Sequence, residues 1–220
     1  MSVLADPKLQ ALIDRLQATS VAQEADTGAF FAERARKAEL SWDGFDETSH
    51  RFLADKLVAL EPDKAEFCHL QCRALGARRI VEVGTSFGVS TLYLADAVRA
   101  NGGGVVIGTE YEPAKAAAAR AHFAEAGLAD MIDLREGDLR ETLQVIEGPV
   151  DFVLMDIWVE MARPAIELIH PHLRRGGVVV ADNTTSVRKP YGPFLAFLDE
   201  NGYRRVTLPF AGGLEFAVRT

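Results

Sequence analysis

The sequence predicts an α/β fold: a doubly wound, largely parallel sheet behind a helical N-terminal segment. Three observations predict it. From Arg79 on, short apolar runs alternate with helix-length segments, the signature of βαβ units. Glycine clusters such as Gly102-Gly103-Gly104 and Gly176-Gly177 punctuate that alternation. Before residue 78 only helices and connectors can be read.

The elements follow in order. Asp6-Pro7 reads as a cap and a first helical residue, and Leu9, Leu12, Ile13 and Leu16 then share one face over residues 6–18. Residues 28–40 and 46–60 read as two more helices, the latter aligning Phe52, Leu53, Leu57 and Leu60. Glu61-Pro62-Asp63 breaks the pattern before a helix that Gly76 stops. Strands are expected at 80–83, 105–108, 131–134, 150–155 and 178–181, with helices over 88–100, 113–126 and 138–147 between them. A further helix is expected to start near Pro164, and another to cover 190–201. Two β segments, 203–208 and 214–218, close the chain.

Composition bounds the function. The chain has 220 residues with 24 Lys and Arg against 32 Asp and Glu, a formal charge of −8, which argues against a general nucleic-acid binder or a membrane-surface protein. No stretch is apolar for long enough to span a membrane, and the start lacks the features of a secretory signal. Cys68 and Cys72 share a helix face with poor disulfide geometry, so reduced thiols and a cytoplasmic location are expected.

In an open parallel sheet, ligands sit beyond the carboxyl ends of the strands. Those ends are acidic here: Glu82, Glu110, Glu136-Gly137-Asp138, Asp156 and Asp182-Asn183. One acid is a routine helix cap, but a series on one edge points to a ligand site. Carboxylates at this density disfavour a pyrophosphate and suit a cation, an amine, a ribose diol or a hard metal. The loop Gly84-Thr85-Ser86-Phe87-Gly88-Val89-Ser90 lacks the G-x-G-x-x-G spacing of a dinucleotide fold, which disfavours a nicotinamide-dependent oxidoreductase. Followed by helix, strand and Glu110, it suits a nucleoside held without phosphates: Glu110 would accept from both ribose hydroxyls, Gly84 and Gly88 would let the backbone approach, and Ser90 could donate to a carboxylate.

With these motifs in hand, the sequence resembles the S-adenosylmethionine-dependent O-methyltransferases of the catechol and caffeoyl-CoA type. The resemblance runs from about Leu60 to the C-terminus. It is carried by Val81-Glu82-Val83-Gly84-Thr85-Ser86-Phe87-Gly88-Val89-Ser90-Thr91, by Asp151-Phe152-Val153-Leu154-Met155-Asp156, by Arg175-Gly176-Gly177-Val178-Val179-Val180-Ala181-Asp182-Asn183 and by Gly213-Leu214-Glu215-Phe216-Ala217. It implies a Rossmann-like sheet of seven strands in order 3-2-1-4-5-7-6, the last strand antiparallel, with a helical extension over 1–60 and a donor-binding domain over 61–220. It assigns Leu60, Glu82, Gly84, Thr85, Ser86, Gly88, Ser90, Glu110, Tyr111, Gly137, Asp138, Asp156 and Trp158 to S-adenosylmethionine. It assigns Asp156, Asp182 and Asn183 to Mg²⁺ or another divalent cation, which would lower the pKa of a bound hydroxyl. The implied partner is a small-molecule hydroxyl acceptor, and such extensions cover the active site and often pack in homodimers.

Two departures bear on mechanism. The family places a lysine three residues after the metal-binding aspartate; here that position is Val159, which cannot accept a proton. Glu160 is the candidate catalytic base beside Asp156, with Lys189 a further candidate that also reads as a solvated loop residue; otherwise metal activation suffices, or the substrate is not a catechol. The segment Thr184-Thr185-Ser186-Val187-Arg188-Lys189-Pro190 is also shorter than in the family, where it shapes the acceptor pocket. A non-catalytic or differently activated donor-binding protein is therefore the alternative.

Overall fold

The computed structural model describes residues 2–40, 46–186 and 188–220. Met1 and Val187, both part of segments read above, lie outside them. Seven strands form one sheet: β1 (Arg79–Val83), β2 (Val105–Glu110), β3 (Ile132–Glu136), β4 (Val150–Met155), β5 (Leu173–Asp182), β6 (Tyr203–Leu208) and β7 (Leu214–Arg219), in order β3-β2-β1-β4-β5-β7-β6. β7 is antiparallel to β5 and β6, and the other pairings are parallel. The helices are α1 (Pro7–Arg36), α2 (Glu47–Leu53), α3 (Pro62–Leu75), α4 (Val89–Ala100), α5 (Pro113–Glu125), α6 (Leu139–Thr142), α7 (Val159–Ile169) and α8 (Gly192–Glu200).

Strand alternation sorts the core into two faces. Ile80, Val106, Phe152, Leu154, Val178 and Val180 pack with α1, α3 and α4. Val81, Val83, Ile107, Val153, Met155, Val179 and Ala181 pack with α6, α7 and α8. Leu9, Leu12, Ile13 and Leu16 of α1 belong to the first cluster, so the start of the extension is built into the core under the sheet.

Several boundaries differ from the sequence expectation, each for a tertiary reason. Residues 6–18 and 28–40 are not separate helices: α1 runs unbroken through Gly28, whose helix cost of about 1 kcal/mol is a weak local preference. Phe30 near its end stacks on Phe52 of α2 at 3.8 Å. The expected helix over 46–60 ends at Leu53 because the next segment is held extended by α1. There the Leu57 N–H donates to Gln23 Oε1 (2.8 Å), the Ala59 N–H to Ser20 Oγ (3.1 Å), and Gln17 Nε2 to the Leu60 carbonyl (2.9 Å). α6 is short because Arg135 Nη1 takes the carbonyls of Thr142 (2.8 Å) and Val145 (2.7 Å). α7 begins at Val159 and carries Pro164 inside it; burial of Val159, Ala162, Ala165, Ile166 and Ile169 on one face offsets the missing hydrogen bond. Gly176-Gly177 is not a turn before β5 but a register shift within it, since Val150 pairs with Leu173 while Phe152 pairs with Val178.

Candidate active site

Register brings the strand ends abreast. Val83 pairs with Thr109 on one side and Met155 on the other, and Met155 pairs with Ala181. Gly84, Glu110, Asp156 and Asp182 follow these four in the chain, so the glycine loop and three acids share one edge. Alternation adds a second constraint. Glu82 continues the face of Ile80, Asp156 that of Phe152 and Leu154, and Asp182 that of Val178 and Val180, which is the face α3 covers. Three carboxylates thereby share the sheet face that α3 covers.

That helix answers with a cation. Lys64, Cys68 and Cys72 recur at helical spacing along the buried side of α3, and the Lys64 side chain is 0% exposed. Its Nζ lies 2.6 Å from Asp182 Oδ1 and 2.8 Å from Glu61 Oε2. Burial alone would lower the Lys64 ammonium, but hydrogen bonds to Asp182 and Glu61 outweigh it and raise the pKa. Burial pushes Asp182 up, opposed by Lys64. Asp156 is held well above the carboxylate range by burial and by the charges of Asp182, Glu82 and Glu61. Cys68, beneath the cluster, is a free thiol pushed up by burial and by the same carboxylates.

Glu82 is fully buried. Its Oε2 accepts from Thr85 Oγ1 (2.9 Å) and from the Thr91 hydroxyl, while Oε1 has no hydrogen-bond partner. Burial raises its pKa against the hydroxyls of Thr91, Ser90 and Thr85. Glu110 is locked to the loop: Oε2 accepts the Ser86 N–H (2.7 Å) and Oε1 the Glu112 N–H (2.8 Å). Ser86 and Asn183 both hold positive φ, 49° and 57°, strain that is concentrated at this edge.

The structure gives the two loop glycines a packing reason of their own. At Gly84 (φ 97°) a Cβ would lie 1.9 Å from the Asp156 carbonyl oxygen, and at Gly88 (φ 88°) 2.4 Å from the Phe123 ring. At both positions the neighbour on the Cβ side is protein, so glycine is needed there for packing as well.

Leu57, Leu60, Gly84, Thr85, Ser86, Ser90 and Asp156 line one cavity, roofed by the extended segment that α1 clips. Trp158, the cap of α7, stacks on His50 of α2 at 4.1 Å, and Glu160 Oε1 lies 3.8 Å from His50 Nε2. The end of β3 lies beside Glu110, with Glu136 in register with it, and its acids are paired with arginines. Glu136 pairs with Arg120 (2.9 Å), and Asp138 caps α6 and is held below the usual carboxylate range by Arg140. Gly137 donates its N–H to the Glu110 carbonyl (2.9 Å), and Tyr111 is 65% exposed beside it in sequence.

The expected metal ligands do not present a divalent-ion cage in this arrangement. Each Asp182 oxygen accepts one hydrogen bond, from Lys64 Nζ (2.6 Å) and from Asn183 Nδ2 (2.9 Å), so an ion at Asp182 would meet the Lys64 ammonium. Sequence reading missed Lys64, Glu61 and His50. The signal for Lys64 was the Cys68/Cys72 stripe continued one turn back.

Residues 81–184 match the family model described as a methyltransferase domain. This segment is a methyltransferase domain. Its relatives fit that conclusion. The chain is 35% identical over 127 residues to a catechol O-methyltransferase of Mycobacterium tuberculosis, covering 57% of each chain. It is 29% identical over 143 residues to a catechol O-methyltransferase of Niastella koreensis, covering 58% of this chain and 64% of that one. The match thus spans less than two thirds of either relative's length. Among solved structures, cofactor-bound Rv0187 from MTB superposes with a TM-score of 0.69 at 27% identity, covering 78% of this chain and 86% of that one. The Streptomyces achromogenes O-methyltransferase TomG, in complex with SAM, superposes with a TM-score of 0.66 at 24% identity, over 80% and 91% of the two chains, and shares the methyltransferase-domain fold.

Proposed function

We propose that this protein transfers a methyl group from S-adenosylmethionine to a hydroxyl of a small molecule. The observation that carries the reading is the lock between Glu110 and the Ser86 N–H, which joins the acid at the end of β2 to the glycine loop at the end of β1 inside the methyltransferase domain. Each Glu110 oxygen accepts one backbone N–H and keeps capacity for a ribose hydroxyl. Glu82 Oε1, a buried acceptor without a partner, suits the ammonium end of an amino-acid ligand. Burial raises the pKa of Glu82, Asp156 and Asp182 around the single Lys64 charge, so a cationic ligand brought among them would favour their charged forms. Leu60, Thr85 and Ser90 share the cavity with Gly84 and Asp156 and would enclose it, with Gly88, Tyr111, Gly137, Asp138 and Trp158 around it.

When bound, the donor supplies a methyl already activated on sulfur, so the protein's task is alignment and proton removal. Val159 in place of the family lysine leaves Glu160, with His50 Nε2 at 3.8 Å, as the proton acceptor. Lys64 on Asp182 favours activation that does not run through a divalent ion; Mg²⁺ at Asp156, Asp182 and Asn183 would require the ammonium to leave. The two free buried thiols support a reducing compartment, the cytoplasm. No helix among the described residues is long and apolar enough to cross a membrane. A homodimer through the helical extension completes the reading and is checked by sedimentation.

Calorimetric titration with S-adenosylmethionine tests the donor site. Saturable binding lost in Glu110→Ala supports it, and absence of binding to the wild type refutes it. Turnover of a panel of phenols and vicinal diols, with chelator and with Mg²⁺, then separates an enzyme from a non-catalytic donor-binding protein.

A further inference from the structure

The buried charge centre under the strand ends holds a feature that the methyl-transfer reading does not require. A lysine is among the costliest side chains to bury, because its ammonium loses water that only close anions can replace. Here the whole Lys64 side chain is buried, and it spends its charge on Asp182 at 2.6 Å and Glu61 at 2.8 Å. The second oxygen of Asp182 accepts from the Asn183 amide N–H at 2.9 Å, so Asp182 meets a donor on each side. Asn183 holds a left-handed φ of 57°, and its Oδ1 lies against Gly212, where a Cβ would come within 2.4 Å and displace it. Lys64 sits in the first turn of α3 behind Pro62, one helical turn before the buried Cys68.

We propose that the Lys64 ammonium is the resident cation of the Asp156–Asp182 carboxylate centre, occupying the place of a divalent ion, so that such an ion binds there only by displacing it. The proposal rests on the methyl-donor reading for the identity of the site, but not for its test. It separates this chain from a mechanism in which an exchangeable metal organises the acceptor: the positive charge is covalently attached, and chelators do not remove it. It also gives Glu61 a function. Glu61, 48% exposed, takes the second hydrogen bond of Lys64 from the solvent side.

The test is Mn²⁺ titration of the full chelator-treated chain, with free Mn²⁺ read by electron paramagnetic resonance. Wild type, Lys64→Met and Lys64→Met/Asp182→Asn are compared. Removing the ammonium leaves the carboxylates uncompensated, so Lys64→Met should bind Mn²⁺ roughly tenfold or more tightly than wild type. The added Asp182→Asn change should abolish that gain. Wild type binding one Mn²⁺ as tightly as Lys64→Met overturns the proposal. Should Lys64→Met not fold, the wild type decides through amine-selective labelling of Lys64 mapped by mass spectrometry. No saturable Mn²⁺ site, or a site whose filling exposes Lys64 to label, upholds displacement; a filled site with Lys64 still protected overturns it. S-adenosylmethionine binding is read separately in the same samples. Its absence would refute the donor reading and leave the Mn²⁺ result standing.

Discussion

Replacing Gln23 by Ala should loosen the roof of the candidate donor cavity without unfolding the domain. Gln23 Oε1 is the acceptor for the Leu57 N–H at 2.8 Å, and Ser20 Oγ is the acceptor for the Ala59 N–H at 3.1 Å. Gln17, Ser20 and Gln23 are spaced to lie on one side of α1, so the three contacts form a row of clips on a segment with no sheet or helix partner of its own. Each such hydrogen bond contributes about 0.5–1.5 kcal/mol net. Leu57 and Leu60 stay buried by their own side chains, which limits the effect to local opening. Loss of one clip should therefore lower protection of the Leu57 amide by roughly 2- to 12-fold, and the double change Ser20→Ala/Gln23→Ala should approach the product of the two. Hydrogen exchange followed by NMR reads both amides directly. Strand amides of β1 and β4 provide the control and should not change. Unaltered exchange at Leu57 in Gln23→Ala would refute the idea that α1 side chains hold the roof, and a fall across the whole sheet would mean the clip supports global rather than local stability.

Three further predictions follow from the same geometry. Gly84→Ala should lose about 2–5 kcal/mol, combining a positive φ with overlap onto the Asp156 carbonyl; a loss under about 1 kcal/mol in urea unfolding would mean that β1 and β4 ends move apart freely. Asp156 has a folded pKa raised above its unfolded value, so its contribution is fully present below the unfolded pKa and is lost as pH rises through the folded one. Asp156→Asn should hence melt at a higher temperature than wild type at neutral pH, by on the order of 1–3 kcal/mol, with the gap closing in acid; a gap that widens in acid reverses the sign and sinks the argument. Asp46 caps α2 by accepting from the Thr48 and Ser49 N–H groups and pairs with Arg34 of α1; burial opposes it, but Ser49 and Arg34 hold its pKa down, so its support is present above the unfolded pKa and lost as pH falls through the folded one. Asp46→Ala should cost about 1–2 kcal/mol at neutral pH, and a variant melting like wild type there would show the cap to be idle.

The sheet was legible in the chain because its signals are local: apolar runs, glycine stops and acids at strand ends all act within a few residues of themselves. The strand order came from the resemblance and not from periodicity, since nothing in a run of valines says which neighbour it pairs with. Misread segments were those whose conformation is decided elsewhere. Residues 57–60 have an amphipathic helical pattern, yet side chains of α1 hold them extended. The Glu136-Gly137-Asp138 end looked like the other acidic ends, and only the structure shows that Arg120 and Arg140 neutralise its two acids. Lys64 was overlooked because a lysine behind a helix-breaking proline reads as a solvated first turn, and only the stripe it forms with Cys68 and Cys72 marks it as buried.

The sheet order has a consequence for how the chain is made. β7 lies between β5 and β6, although it follows both in the sequence. A ribosome releasing the chain from its N-terminus delivers β1 to β5 as a parallel sheet whose β5 edge is open, and β6 has no place to pair until β7 emerges. During that interval the apolar edge of β5, Val178–Ala181 in the sequence, is a template for any passing strand. Nascent chains cut short of residue 214 should therefore be the species that chaperones retain and that aggregates collect.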